Sequence, residues 1–122
     1  MTADDFETHI RGLGFAVEII ADANGQRYSV VRDFELPNGS LKGRRCDVAI
    51  QRVETIPYVP PSAIHVRPLL VPMDPSDPLK TSASALGEDW QYWSRRFDHL
   101  PSPKNLWTHI LTVLCDDRWP TN

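Results

Sequence analysis

Two cysteines are the most nucleophilic side chains in this 122-residue sequence, so their surroundings decide whether thiol chemistry is expected. Cys46 alternates with Val48 and Ile50 in a strand-like apolar run, and Cys115 ends an apolar helical stripe. A reactive thiolate needs a partly exposed, electropositive setting, whereas a cysteine inside an apolar pattern usually packs as a small hydrophobic side chain. We therefore predict that both cysteines are structural and that they form no disulfide framework.

Four histidines could supply a general base or a metal ligand. His65 has the opposite parity to Ile64 and Val66, so we expect it to face away from the core side of its strand. His99 follows Asp98, a pairing that can orient an imidazole as a base, although a histidine in such a loop is usually a surface residue. The spacing of His and Cys does not fit a zinc site, and there is no G-x-S-x-G elbow. No metal, cofactor or Ser-His-Asp hydrolase is predicted.

Charge and length restrict the function further. The chain has 13 lysines and arginines against 16 aspartates and glutamates, a formal net charge of −3. This balance does not favour nucleic acid as a ligand. No apolar run approaches the roughly 18 residues that a membrane span needs, and the N-terminus is acidic where a signal peptide would be basic. We expect a cytoplasmic protein with one domain over residues 1–122.

The first half of the chain predicts a short helix followed by strands. Thr2 with Asp5 three residues later is typical of a capping box that opens a helix, and glycines at 12 and 14 end it. Turn signals such as Asn24-Gly25 then separate alternating or β-branched runs. Because short connections cannot make parallel crossovers, we predict a four-stranded antiparallel meander. Its strands lie within residues 15–19, 26–34, 46–51 and 63–67.

Prolines dominate the second half, where seven of the eleven lie between residues 57 and 78. We predict no regular structure over residues 68–89, and a loop this long in a small domain is usually functional or disordered. A helical turn is predicted around residues 90–96, where Trp90 and Trp93 share a face and anchor the loop, and an amphipathic helix over residues 104–116. The fold class is α+β, with helices on one side of the sheet.

This order of elements, with this proline arrangement, resembles the ubiquitin-conjugating enzyme (UBC) superfamily. In that family a P-x-x-P-P turn joins the third and fourth strands, and here it contains Pro57, Pro60 and Pro61. The run Asp-Trp-Gln-Tyr-Trp-Ser-Arg-Arg at residues 89–96 is similar to the bacterial UBC-like group catalogued as prokaryotic family E. The resemblance implies a UBC-like fold with a long active-site loop and C-terminal helices. The loop and groove residues it implies are Pro57, Pro60, Pro61, Trp90 and Trp93.

The resemblance also implies an activity and partners. Such a protein receives a ubiquitin-like protein from an activating enzyme and transfers it to a target, and the activating enzyme contacts the first helix, here at Phe6 and Arg11. The family's His-Pro-Asn tripeptide and catalytic cysteine are missing, because residues 68–89 contain no histidine, asparagine or cysteine. The thioester-forming residue is therefore absent from its expected place.

Two serines stand near that place. Counting eight residues back from Trp90 leads to Ser82, and counting from Trp93 instead favours Ser84. Either could carry the modifier as an oxyester, but a neutral hydroxyl needs a general base. The alternative is that these small residues only keep an exposed loop soluble. The chain would then be a catalytically inactive UBC-like module that binds a ubiquitin-like protein or its activating enzyme.

Overall fold

The computed structural model describes residues 2–52, 63–71, 81–94, 102–116 and 119, which form two helices and six strands. The strands make one antiparallel sheet in the order β1-β2-β3-β4-β6-β5. No helix in these ranges is long and apolar enough to cross a membrane. In chain order the elements are α1 (Ala3–Gly12), β1 (Val17–Ala21), β2 (Arg27–Glu35), β3 (Arg45–Gln51), β4 (Ala63–Arg67), β5 (Thr81–Ser84), β6 (Gly87–Ser94) and α2 (Pro103–Leu114).

The short N-terminal helix and the amphipathic C-terminal helix predicted from the sequence are both present, and local capping explains where they begin. The Thr2 hydroxyl accepts from the Asp5 N–H at 3.1 Å, and the Asp5 carboxylate accepts from the Thr2 N–H at 2.9 Å. This reciprocal pair satisfies two of the amides that a helix start leaves unpaired. Ser102 caps α2 in a similar way, accepting from the Asn105 N–H at 3.2 Å, with Pro103 in the first turn.

The α+β class with an antiparallel sheet is confirmed, but the predicted number of four strands is wrong. Residues 81–94 form the hairpin β5–β6, which replaces part of the predicted irregular stretch 68–89 and the predicted helical turn at 90–96. The hairpin forms because Gly87 adopts a φ of +138° at the turn, and because an aromatic-rich run such as Trp90–Trp93 favours a pleated surface. α2 is the one helix that the structure describes after the hairpin.

The sheet has two different faces, the helix face and the second face. The helix face carries Val48, Ile64 and Val66, and both α1 and α2 pack on it to make the main core. The second face carries Ala49 and His65. Further members of the main core are Phe6 and Ile10 of α1, Leu106, Trp107, Ile110 and Leu114 of α2, and the Trp93–Trp119 pair, whose ring centroids are 4.1 Å apart.

A buried ion pair fixes α1 to the sheet. The Arg52 Nε lies 2.7 Å from the Glu7 Oε2, and both side chains are almost fully buried. The Ser29 hydroxyl also donates to Glu7, and the Arg52 guanidinium reaches Asp4 on the same helix. Burial acts to raise the pKa of Glu7, but the hydrogen bonds from Arg52 and Ser29 prevail and lower it. The carboxylate therefore stays charged inside the protein.

A buried amide fixes the chain that follows β4. The Gln91 Oε1 accepts from the backbone N–H groups of Leu70 and Val71 at 3.0 and 3.3 Å, and its Nε2 donates to the Val71 carbonyl. The Trp93 indole N–H also lies 3.4 Å from the same oxygen. Gln91 has no exposed surface, so these contacts replace water completely. One side chain thus ties residues 70–71 to the hairpin.

Replacing Gln91 with leucine should destabilise the protein by about 2–4 kcal/mol, because the backbone groups of residues 70 and 71 would be buried without partners. Urea unfolding followed by tryptophan fluorescence measures this change. The matched control is Gln51→Leu, since Gln51 is only half-buried on β3 and should tolerate the change. If Gln51→Leu and Gln91→Leu lower the free energy of unfolding equally, the role assigned to Gln91 is wrong.

Replacing Arg52 with methionine should cost about 3–5 kcal/mol of unfolding free energy, because Glu7 would remain buried without its charge partner. The double variant Glu7→Leu, Arg52→Met should recover most of that loss. Arg45→Met is the control, because Arg45 pairs with Asp33 in solvent, where an ion pair contributes little. A double variant no more stable than Arg52→Met alone would show that the ion pair is not the cause.

Candidate functional site

His65 lies at the centre of the second face. Ile64 and Val66 point to the helix face, so the alternation of β4 directs His65 to the other side, between its register partners Ala49 and Tyr92. Only 6% of its surface is exposed. Tyr28 and Tyr92 stand edge-on to the imidazole, with ring centroids 5.1 and 5.3 Å away. The histidine faces away from the helices, but it is buried rather than solvated.

The hairpin brings Ser84 to this histidine. The Ser84 Oγ lies 2.7 Å from the His65 Nδ1, and the Leu86 N–H donates to the same oxygen at 3.0 Å. The register between β5 and β6 shifts between Ala83 and Ser84, at the start of the turn. Ser84 is half-buried while Ala85 beside it is exposed. The hydroxyl is therefore at the surface end of the pair and the imidazole is at the buried end.

Burial determines the protonation state of the histidine. It lowers the pKa of His65 from its ordinary 6.5 to about 4, against a smaller opposing effect of Asp22. At neutral pH the imidazole is uncharged, and in the Nε2–H tautomer the Nδ1 can accept the Ser84 proton. The Leu86 N–H would stabilise negative charge that develops on the Ser84 oxygen. The arrangement contains a hydroxyl, a base and a donor, which are the parts of an activated serine.

A tyrosine and an aspartate hold one side of the imidazole in place. The Tyr28 hydroxyl donates to the Asp22 Oδ2 at 2.9 Å. Burial and this hydrogen bond raise the pKa of Tyr28 to about 12, so the phenol remains a donor. Partial burial acts to raise the pKa of Asp22, but the bonds from Tyr28 and from the N–H groups of Asn24 and Gln26 lower it. The carboxylate is a fixed negative charge near His65.

The two candidate serines have different surroundings. Ser82 is opposite Tyr92 in the β5–β6 register and is half-buried. Within the described ranges no hydrogen bond joins its hydroxyl to a titratable side chain, whereas Ser84 contacts His65 directly. Sequence reasoning did not identify His65 as a partner, because 19 residues separate it from Ser84. Only the parity of His65 pointed to this face.

The tryptophans assigned to the loop and groove lie on opposite faces, so the shared helical face predicted for them is wrong. Trp90 belongs to a cluster on the second face with Tyr28, Val30 and Ala49. The Arg67 guanidinium lies 4.5 Å from the Trp90 ring centroid. Trp93 has no exposed surface and belongs to the main core. The other loop and groove residues, Pro57, Pro60 and Pro61, lie outside the described residues, as does His99.

The residues assigned to an activating enzyme differ in accessibility. Phe6 is 2% exposed and packs in the main core, whereas Arg11 is exposed on α1 and its Nη2 donates to the Val17 carbonyl at 3.3 Å. A partner that binds α1 can touch Arg11 directly. Phe6 would act only by holding the helix in place.

The Cys46 thiol is a poor nucleophile in this structure. Burial raises the pKa of the Cys46 thiol to about 12, with smaller effects from Asp47 and Cys115, so a thiolate is disfavoured there. Cys115 is half-buried and caps the end of α2. Across the described parts of the chain, no group of three or more His, Cys, Asp or Glu side chains could hold a metal ion.

Comparison with known proteins gives one family. The model described as Prokaryotic E2 family E matches residues 2–115, a range that contains both helices and all six strands of the described structure. No curated protein and no solved structure matches the chain significantly.

The stability of the protein should depend on pH through His65. Its folded-state pKa of about 4 is below the ordinary 6.5, so only the unfolded chain takes up the proton between these values. The free energy of unfolding therefore keeps its full value above pH 6.5, and it decreases by up to roughly 3 kcal/mol as the pH falls toward 4. Urea unfolding at several pH values should show a shallower dependence in His65→Gln than in the wild type. His9→Gln, on α1, is the control, and identical slopes for His65→Gln and wild type would refute the assignment.

Proposed function

Because the chain belongs to prokaryotic E2 family E, we propose that it receives a ubiquitin-like protein from an activating enzyme and carries it as an ester on Ser84. Membership of the family gives the protein a role related to ubiquitin conjugation and implies interaction with a ubiquitin-like protein or an activating enzyme. The single observation that supports the serine ester is the 2.7 Å contact between the Ser84 Oγ and the His65 Nδ1. It supplies the base that a serine carrier needs.

The first step would load the modifier. The Ser84 oxygen attacks the carbonyl carbon of the modifier's C-terminus, which arrives as a thioester on the activating enzyme. As the new C–O bond forms, the Ser84 proton moves to the His65 Nδ1. When the C–S bond breaks, the leaving thiolate takes that proton, and His65 is neutral again. The Leu86 N–H, 3.0 Å from the oxygen, favours the oxygen as it begins to lose its proton.

The second step would deliver the modifier to an amine of the target. The amine attacks the ester carbonyl, a C–N bond forms and the C–O bond to Ser84 breaks, while the proton that the amine loses passes through His65 to the Ser84 oxygen. Ester and amide formation balance without an oxidant, a metal or a further co-reactant. The surroundings of Ser84 are compatible with an extended C-terminal tail, because Ala83, Ala85 and Gly87 beside it are small and exposed.

The ester can be detected directly by mixing the protein with an activating enzyme and a ubiquitin-like protein from the same genome, and ATP. We expect an adduct that survives thiol reductant and is cleaved by hydroxylamine or base. Ser84→Ala should abolish it, and Ser82→Ala, the matched control on the same strand, should retain it. His65→Gln should slow adduct formation by no more than the roughly 10²–10⁴-fold that a well-matched general base contributes, because His65 is a weak base. Intact-mass spectrometry and gel electrophoresis measure all four proteins.

Other outcomes of this experiment identify the alternatives. An adduct that persists in Ser84→Ala but disappears in Ser82→Ala would move the carrier to Ser82. An adduct that reductant cleaves, and that Cys115→Ala or Cys46→Ala removes, would show a thioester and overturn the proposal. If the wild type forms no adduct but binds the ubiquitin-like protein or the activating enzyme, the chain is the inactive binding module.

A further inference from the structure

β1 is an outer strand of the sheet, and its backbone alternation determines which groups it offers to solvent. The Arg32 N–H donates to the Ala16 carbonyl, and the Asp22 N–H donates to the Gln26 carbonyl. Residues 16 and 22 therefore direct their backbone groups toward β2, and so do 18 and 20 between them. The N–H and C=O groups of Val17, Ile19 and Ala21 must then point outward, away from the sheet.

This edge lacks most of the features that keep sheet edges from pairing. Proteins usually protect such edges with charges, prolines or bulges, but β1 contains a single charged residue, Glu18. Its carboxylate already pairs with Arg32 at 3.1 Å. The Ile19 side chain is 43% exposed, and Leu13 at the end of α1 is 51% exposed. Among the described residues, only the Arg11 guanidinium contacts an outward backbone group of β1, the Val17 carbonyl.

We propose that β1 pairs antiparallel with β1 of a second copy of this chain, about a two-fold axis at Ile19. In this register Ile19 faces the Ile19 of the other copy, and Val17 faces Ala21. Each of these positions has outward N–H and C=O groups, so about six interchain hydrogen bonds can form. The two six-stranded sheets would join into one continuous sheet across the axis.

The occupant is a second copy because two-fold homodimers are the commonest soluble oligomers and need a patch that is complementary to itself, which the outward N–H and C=O groups of β1 provide. A two-fold axis at Glu18 or Ile20 would align only two outward-facing residue pairs of β1 instead of three, and an axis at Glu18 would also place the two Glu18 side chains opposite each other. With the axis at Ile19, two exposed isoleucines meet on the helix face. On the second face Glu18 lies opposite Ile20 of the other copy, so like charges are not directly opposed, and each Glu18 keeps its own Arg32.

The proposed interface is independent of the Ser84 site. β1 and β5 are the two opposite edges of the sheet, so pairing through β1 leaves the β5–β6 hairpin uncovered. The dimer can therefore form whether or not Ser84 carries a modifier. Its test needs neither the activating enzyme nor the ubiquitin-like protein.

A charge-complementation experiment tests the axis itself. The wild type should dimerise with increasing concentration in sedimentation velocity. Ile19→Lys and Ile19→Glu should each weaken the dimer by at least about tenfold, because position 19 would face its own charge. An equimolar mixture of the two variants should associate again, because the lysine at position 19 of one chain would then face the glutamate at position 19 of the other across the axis. Leu69→Lys, at an exposed hydrophobic residue outside β1, is the control that should leave the dimer unchanged.

Ile19→Pro is a second variant that tests the backbone. It removes an outward N–H but no bond to β2, so it should give a folded monomer whose unfolding midpoint is close to that of the wild type. The proposal is overturned if the wild type stays monomeric up to millimolar concentration, or if Ile19→Lys and Ile19→Glu fail to associate when mixed. If the wild type is monomeric and binds a ubiquitin-like protein, and Ile19→Lys abolishes that binding, the edge binds the ubiquitin-like protein and the proposed dimer is wrong.

Discussion

His65 lies in the middle of β4, a strand that is buried on both faces, so its imidazole needs a hydrogen-bond partner inside the protein. The arrangement of the second face supplies that partner. Ile64 and Val66 contribute to the main core, while His65 on the same strand is 6% exposed on the other face. Leaving its ring nitrogen unpaired would cost about 1–3 kcal/mol. Ser84 meets the need at 2.7 Å, so the same contact holds the β5–β6 hairpin to β4 and places a hydroxyl next to a base.

The rest of the fold keeps this contact rigid from both faces. On the helix face, Gln91 of β6 ties residues 70–71 to the hairpin. On the second face, the neighbouring residue Tyr92 stands against the imidazole, as does Tyr28, which is held by Asp22. Farther away, the buried Glu7–Arg52 pair fixes α1 on the sheet and so fixes where Arg11 is presented. A site that must align an oxygen and a nitrogen depends on such support.

The parts of the structure that local chemistry determines could be predicted from the sequence. The capping box at Thr2 and the apolar stripe of α2 gave both helices, and turn residues separated the first four strands. The hairpin was missed because Trp90 and Trp93 are three residues apart, a spacing that fits a helical face as well as two faces of a strand. The contact between His65 and Ser84 could not be predicted, since it depends on pairing β4 with β6 and on the register shift after Ala83.

The low basicity of His65 suits a carrier better than a fast hydrolase. A base with a pKa of about 4 is neutral throughout the physiological range, but it gives a small driving force for removing a proton from serine. Asp22 partly offsets this, because its charge favours the imidazolium that forms during transfer. The same weak base would activate water poorly, so an ester on Ser84 would resist hydrolysis, whereas a target amine is a better nucleophile and needs less help. Burial of the histidine would therefore favour transfer over loss of the modifier.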